Sequence, residues 1–404
     1  MIKNLLLYKR SKKKNMANTF SFVGKITRKK ENTFVEKTFN SGWVINELNL
    51  TIICGDNVQF LRASGGMWDE KHADKNAVMT FKRNEGGKDE KLTVKWDDRF
   101  NPDIVNTVAN YKTYTVDTEI AQDRKDIEAQ ITELKKELEN ASGTEKIDIE
   151  KKIAELTTAL EASKKKHKIF ITAIDFVKWL DKVTSNEKTK DWVWKVTGEV
   201  EYSYSKGQWY RNFVPKRVYH VDSSTEQQCV GTIKTFFTEG CTNDESENDI
   251  VFNVFTQYYD QQCKKNCFTP IPLVISKSHA KAKGFQKLFS KAEGDEVREF
   301  GVNVVYINGA QKVEITEDML SDEQKELLEM NMITMDDIRK DLGDTVYGDR
   351  KTEVRIDGIA RGYTGGSKET IFENSDLTQI PTKDEPKVEV DEDVDIFEDE
   401  DEDI

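Results

Sequence analysis

The chain is 404 residues long, a third of them charged, with a net charge of −13. Its length accommodates two or three domains at the usual ~100–200 residues each, and no apolar run approaches the ~18 residues of a membrane-spanning helix. Residues 384–404 hold 13 acidic side chains and one lysine, which leaves residues 1–383 near neutral at about −1. The acidic balance describes the tail, so it does not exclude a body that binds nucleic acid.

Residues 1–16 read as a disordered basic extension. Leu5-Leu6-Leu7 precedes Lys9-Arg10 and Lys12-Lys13-Lys14, the reverse of a secretory signal, and Met16 is the expected working start. The five cysteines are odd in number and irregularly spaced, which fits a reducing cytoplasm better than a disulfide framework. Residues 17–116 are predicted to be β-rich and OB-like. Apolar runs at 48–54 and 58–62 flank Gly55-Asp56-Asn57, and runs at 78–81 and 92–96 flank Gly86-Gly87. Such short runs between turn clusters argue for a sandwich or small barrel.

Residues 117–167 break the pattern. Ile127, Ile131, Leu134 and Leu138, then Ile149, Ile153, Leu156 and Leu160, recur at helical spacing on either side of Gly143. They predict an antiparallel helical hairpin of coiled-coil character, serving either as a solvated spacer or as a protein-contact arm. Residues 168–374 return to β and are predicted to form a second OB-like domain. Strands are predicted at 169–177, 192–204, 209–221, 250–259, 273–276 and 301–307, the last turning at Asn308-Gly309 into 312–315. A helix is predicted near 316–342 and a strand over 352–360. Residues 375–404 read as a linker and a disordered acidic tail. In that tail Ile396, Phe397, Glu398 and Asp399 are the candidate contacts for a partner protein.

No catalytic motif stands out. Gly-Tyr-Thr-Gly-Gly-Ser-Lys at 362–368 lacks the spacing of a phosphate loop and reads as a glycine turn, and the four histidines fall in no metalloprotease or deaminase pattern. The chain is therefore expected not to be an enzyme. Cys229, Cys241, Cys263 and Cys267 are a half-match to a zinc site, with ordinary thiols the default reading.

The interleaving of aromatic and basic residues carries more. Tyr202, Tyr204, Lys206, Trp209, Tyr210, Arg211, Phe213, Lys216 and Arg217 fall within one predicted β-hairpin. Exposed rings beside cations are what a single strand of nucleic acid requires, with stacking worth roughly 1–3 kcal/mol per base. Trp43, Phe60, Arg62, Trp68 and Lys71, around Gly65-Gly66, form a second and weaker set, of which Trp43, Arg62, Trp68 and Lys71 are the candidate contacts. Trp192, Trp194 and Val196 read as core.

The segment 194–218, with Gly198 on its first strand and aromatic residues on its second, resembles the early hairpin of an OB-fold, and Phe22-Val-Gly-Lys-Ile26 is similar. Joined to an acidic tail bearing Phe397, the chain resembles bacteriophage single-stranded DNA-binding proteins. The resemblance implies a mainly β fold with α insertions: OB-like barrels, an inserted helical hairpin and a disordered acidic tail. It also implies a cytoplasmic protein that coats single-stranded DNA during replication, recombination or repair. Its tail would recruit replication or recombination proteins and compete with DNA for the basic groove. Self-association is a further expectation; a membrane partner and a cofactor are not. The alternative is a phage structural or assembly protein that uses the β domains and the hairpin for protein contacts.

Overall fold

The computed structural model describes residues 18–28, 32–84, 88–139, 141–260, 263–313, 320–330, 332–335, 337–338 and 346–381. The basic extension up to Met16 and the acidic tail with Ile396, Phe397, Glu398 and Asp399 lie outside the described residues.

The chain begins with β1 (Thr19–Thr27), β2 (Phe34–Thr38), β3 (Trp43–Cys54) and β4 (Asn57–Trp68). A separate hairpin of β5 (Ala77–Lys82) and β6 (Glu90–Lys95) and the short helix α1 (Pro102–Val105) follow. β7 (Tyr114–Asp117) leads into helices α2 (Ala121–Leu138) and α3 (Gly143–Lys164), then β8 (His167–Phe170), helix α4 (Ala173–Thr184), β9 (Val193–Ser205) and β10 (Gln208–Val221). The second half comprises β11 (Gln228–Phe237), β12 (Thr242–Asn243), β13 (Asp249–Asp260), β14 (Lys265–Ser276) and helix α5 (Ala282–Phe289). It ends with β15 (Glu296–Val313), helix α6 (Asp322–Glu329), β16 (Val346–Ile359), β17 (Lys368–Glu373) and helix α7 (Asn374–Thr378).

The pairings define two rings of five strands. In the first, β1 pairs β3, β3 pairs β4, β4 meets β10 in parallel at Leu61–Phe213, β10 pairs β9, and β9 returns to β1. In the second, β11 pairs β13, β13 pairs β14, β14 meets β16 in parallel at Val274–Arg355, β16 pairs β15, and β15 returns to β11. Each ring runs 1-2-3-5-4, joins its third and fifth strands in parallel, and has a helix between its third and fourth: α4 in one ring, α5 in the other. This is the five-stranded Greek-key barrel of the OB fold, present twice. The fold is thus mainly β with α insertions, as the sequence predicts.

The barrels are fused through their first strands. β1 and β11 pair antiparallel from Thr19–Thr232 to Val23–Gln228, and one continuous core runs from Phe20 and Phe22 through Phe213 to Tyr306 and Tyr363. The division at residue 116 is corrected accordingly. The first barrel needs β9 and β10, at 193–221, to close, and the second begins only at β11. The segment 194–218 is the last hairpin of the first barrel, not the early hairpin of another. A strand pattern encodes which face is apolar but not which distant strand it joins.

Three local readings also change. The run 169–177 divides into β8 and α4, because the Thr172 hydroxyl accepts the Asp175 amide and caps a helix that buries Ile174, Val177 and Leu180. A short apolar run is ambiguous between strand and helix by periodicity alone. Asn308-Gly309 lies inside the continuous strand β15 and makes no turn; a Cβ at Gly309 would sit 2.0 Å from the Asp56 carbonyl oxygen, so glycine serves a close crossing between barrels. Within 316–342, α6 starts in a capping box between Ser321 and Gln324, and Met335, Asp337 and Ile338 are helical as well.

Two consecutive helices form where the hairpin is predicted. Its helices of 18 and 22 residues span ~27–33 Å and bury Ile131, Leu134 and Leu160 between them. At its root Asp117, 1% exposed, accepts from both terminal nitrogens of Arg124 and lies 2.9 Å from His167 Nδ1.

Candidate nucleic-acid interface

In an OB barrel the outward surface of the second and third strands, with the loops after strands one and four, is the usual oligonucleotide face. In the first barrel this is the outer side of β3 and β4. Strand alternation sends Leu48, Leu50, Ile52, Leu61 and Ala63 inward. The opposite side presents the cross-strand pairs Thr51–Phe60, Asn49–Arg62, Glu47–Ser64 and Trp43–Trp68. Phe60 is 49% exposed. Arg62 Nη2 lies 2.9 Å from Glu47 Oε1, and Lys37 of β2 reaches the other oxygen of the same carboxylate at 3.6 Å. Glu47 thereby anchors Arg62, two residues from Phe60 on the same face.

The tryptophan pair is built with care at one end of this face. Trp43 and Trp68 meet edge to face with centroids 5.3 Å apart. The Trp43 ring lies over Gly66, where a Cβ would fall 2.3 Å from it, so only glycine admits the ring. Asn76 pins Trp68 by accepting its amide and donating to its carbonyl. The Asp69 carboxylate caps the turn Glu70–Lys75 and lies 2.7 Å from His72 Nδ1, a contact that lowers the Asp69 pKa. That turn places Lys75 4.7 Å from the Trp68 ring centre and leaves Lys71 exposed. Aromatic faces and ammonium groups are thus side by side on a rigid support.

The hairpin β9–β10 turns out differently from its prediction. Tyr202, Arg211 and Phe213 point to the inner side, together with Tyr204 and Trp209 nearer the turn. Tyr202 and Phe213 are core residues, 8% and 4% exposed, and burial pushes the Tyr202 phenol up to about 12 against the opposing charge of Arg211. The Arg211 guanidinium lies 5.2 Å from the ring centre of Tyr306, in the second barrel. Trp209 packs edge to face on Tyr258, also in the second barrel, at 5.7 Å. These side chains join the two barrels; they offer no free stacking faces. Tyr210, on the outer side, is 44% exposed, and Lys206 is exposed at the turn. Lys216 also faces outward, while Arg217 donates to the Asn110 carbonyl at 2.9 Å.

The weaker sequence set, Trp43, Arg62, Trp68 and Lys71, therefore falls on the open OB face, and most of the stronger set does not. Phe60, named with the weaker set, lies on the same face; Lys75, Tyr111 and Lys112 lie outside both sets. The signal for Tyr111 and Lys112 was present in the Asn-Tyr-Lys-Thr-Tyr run at 110–114. The second barrel's corresponding face is partly covered: Phe255 and Phe268 pack beneath Phe372 and Leu377 of the C-terminal β17 and α7.

The cysteines do not assemble. Among the described residues no three His, Cys, Asp or Glu side chains converge as metal ligands. Cys229 sits beside Cys54 at the barrel junction, and the Cys241 thiol donates to the Phe289 carbonyl. Cys263 lies in the β13–β14 turn and Cys267 on β14. No helix among the described residues is long and apolar enough to cross a membrane.

The molecule is a tandem OB-fold protein by its strand order and closure. Its backbone is similar to that of the single-stranded DNA binding protein from Thermus aquaticus, with a TM-score of 0.27 and 8% identity over 72% of this chain and 85% of that one. A deletion mutant of the same protein gives 0.27 and 9% identity over 76% and 97% of the two chains. Scores this low carry no argument, and the fold assignment rests on the pairings. The sequence matches no protein-family model and no curated protein.

Proposed function

We propose that this protein binds single-stranded DNA stoichiometrically, without catalysis, and coats it during replication, recombination or repair. The observation that carries the reading is the open outer face of β3 and β4. Phe60, Trp43 and Trp68 are bases' stacking partners on a fixed pleat, and Arg62, Lys71 and Lys75 stand beside them as phosphate partners. The second barrel, its own face partly covered, supports the first through the shared core. The acidic residues 384–404, with Ile396, Phe397, Glu398 and Asp399, recruit partner proteins and compete with DNA for the same cations.

Titration of the full-length protein with oligo-dT, followed by tryptophan quenching, tests this. Binding is expected at low salt and is expected to weaken as salt rises. Phe60→Ala is expected to cost roughly 1–3 kcal/mol of affinity. Arg62→Ala is expected to lower the salt slope by about one. A chain ending at residue 383 is expected to bind more tightly than the whole. Absence of oligo-dT binding at low salt by either form sinks the proposal, and tighter binding to oligo-U would redirect it to RNA.

A further inference from the structure

A cleft of about 310 Å³ opens beside the OB face, between the β5–β6 hairpin and the outer side of β9–β10. It lies where the sheet splits. β10 touches β4 at Phe213–Leu61 and then pairs with β7 from Arg217–Thr115 onward. Met79, Thr80, Tyr111, Tyr114, Glu199 and Lys216 line it, with Lys112 alongside. Its size is at the lower end of small-molecule sites, which begin near ~300 Å³.

Three features mark it as a built site. Thr80 is 3% exposed, yet its hydroxyl has no hydrogen-bond partner, an arrangement that costs free energy unless a ligand or water completes it. Tyr111 leaves half its surface exposed while its phenol hydrogen-bonds Asp89, so the ring is a fixed platform. Its backbone turn, Asn110–Lys112, is tied to β10 by Arg217 donating to the Asn110 carbonyl. Lys216 Nζ is held 3.4 Å from the Tyr114 hydroxyl and 3.7 Å from Glu199, and Lys112 Nζ lies 5.5 Å from the Phe81 ring centre.

We infer that this cleft receives one nucleobase of the bound strand, stacked on Tyr111, with its flanking phosphate between Lys112 and Lys216. The inference rests on the single-strand-binding reading and extends its path. The parallel register places Arg62 next to Val214, and Lys216 follows two residues on, so a strand leaving Phe60 and Arg62 passes directly into the cleft. Thr80 can donate to a base carbonyl, and Glu199 can accept from an exocyclic amine. A half-exposed ring with two ammonium groups along its rim is the combination that a nucleotide's base and phosphate call for.

The test uses the full-length protein and oligo-dT long enough to cross both sites. Tyr111→Ala is expected to weaken binding roughly tenfold, as loss of one stacked base would, and Tyr111→Phe to retain wild-type affinity. Because Tyr111→Ala could disturb the turn, a second measurement uses the wild-type chain. Oligonucleotides carrying 5-iododeoxyuridine are photo-crosslinked, and the attached peptides are identified by mass spectrometry. Crosslinks within residues 110–114 are expected. If the wild-type protein binds, Tyr111→Ala binds equally well and crosslinks fall only on β3 and β4, the cleft has no such role while the OB-face reading stands. A wild-type chain that binds no oligonucleotide overturns both.

Discussion

Asp117 shows how much one residue holds. It is buried at the root of the helical arm, where burial alone would raise its pKa. Hydrogen bonds from His167 and Arg124 outweigh that and bring the carboxyl down to about 2. Its folded pKa lies below the unfolded value, so its contribution is fully present above the unfolded pKa near ~3.9 and is lost as pH falls towards 2. Thermal melts between pH 6 and pH 3 are expected to show stability falling at the acid end, and Asp117→Asn is expected to flatten that fall. The substitution strands Arg124, itself only 16% exposed, and is expected to cost ~3–5 kcal/mol at neutral pH. The candidate site was legible at this scale only in part. Arg62 and Trp68 look no different in sequence from Arg211 and Trp209. What separates them is that β4 keeps an outer face free while the tip of β9–β10 is closed over by Tyr258 and Tyr306.

At the scale of elements, the helical arm was fully legible, because its contacts are local. Spacings of three and four within each helix and a glycine between them specify the hairpin without reference to the barrels. The corollary is that the arm stabilises chiefly itself. Replacing residues 128–157 by a short turn, which keeps Arg124 and Leu160, is expected to leave the melting temperature within about 4 °C, the shift that roughly 1 kcal/mol produces in a domain of this size. Oligo-dT affinity is expected to be unchanged; a large loss would instead make the arm part of the binding surface. Gly309 illustrates the reverse case. Asn-Gly is a strong turn signal locally, yet here the glycine admits the Asp56 carbonyl of the other barrel. Gly66 likewise exists for the Trp43 ring. Neither partner is near in sequence, so neither purpose could be read there.

The barrels share β1–β11 pairing and a continuous core, and are expected to unfold together. Tyr306 sits at the junction, fully buried, 4.9 Å from the Phe213 ring and 5.9 Å from Phe22. Its hydroxyl has no hydrogen-bond partner. Tyr306→Phe removes that cost while keeping the packing and is expected to stabilise the protein by about 1 kcal/mol. Tyr306→Ala is expected to destabilise it by ~3–5 kcal/mol. A single calorimetric transition in all three proteins is expected, whereas two separate transitions would mean that the barrels fold independently. By itself the sequence determined the β-rich class, the helical arm, which residues of a strand share a face, and the confinement of net charge to the tail, since all of these are set by neighbours in the chain. The tertiary structure alone decided where one barrel ends and the next begins, that β9 and β10 close the first, and which aromatic–basic set stays open to solvent. Those outcomes depend on parallel closures between strands some 80 to 150 residues apart and on one barrel covering part of the other, and local side-chain chemistry does not encode them.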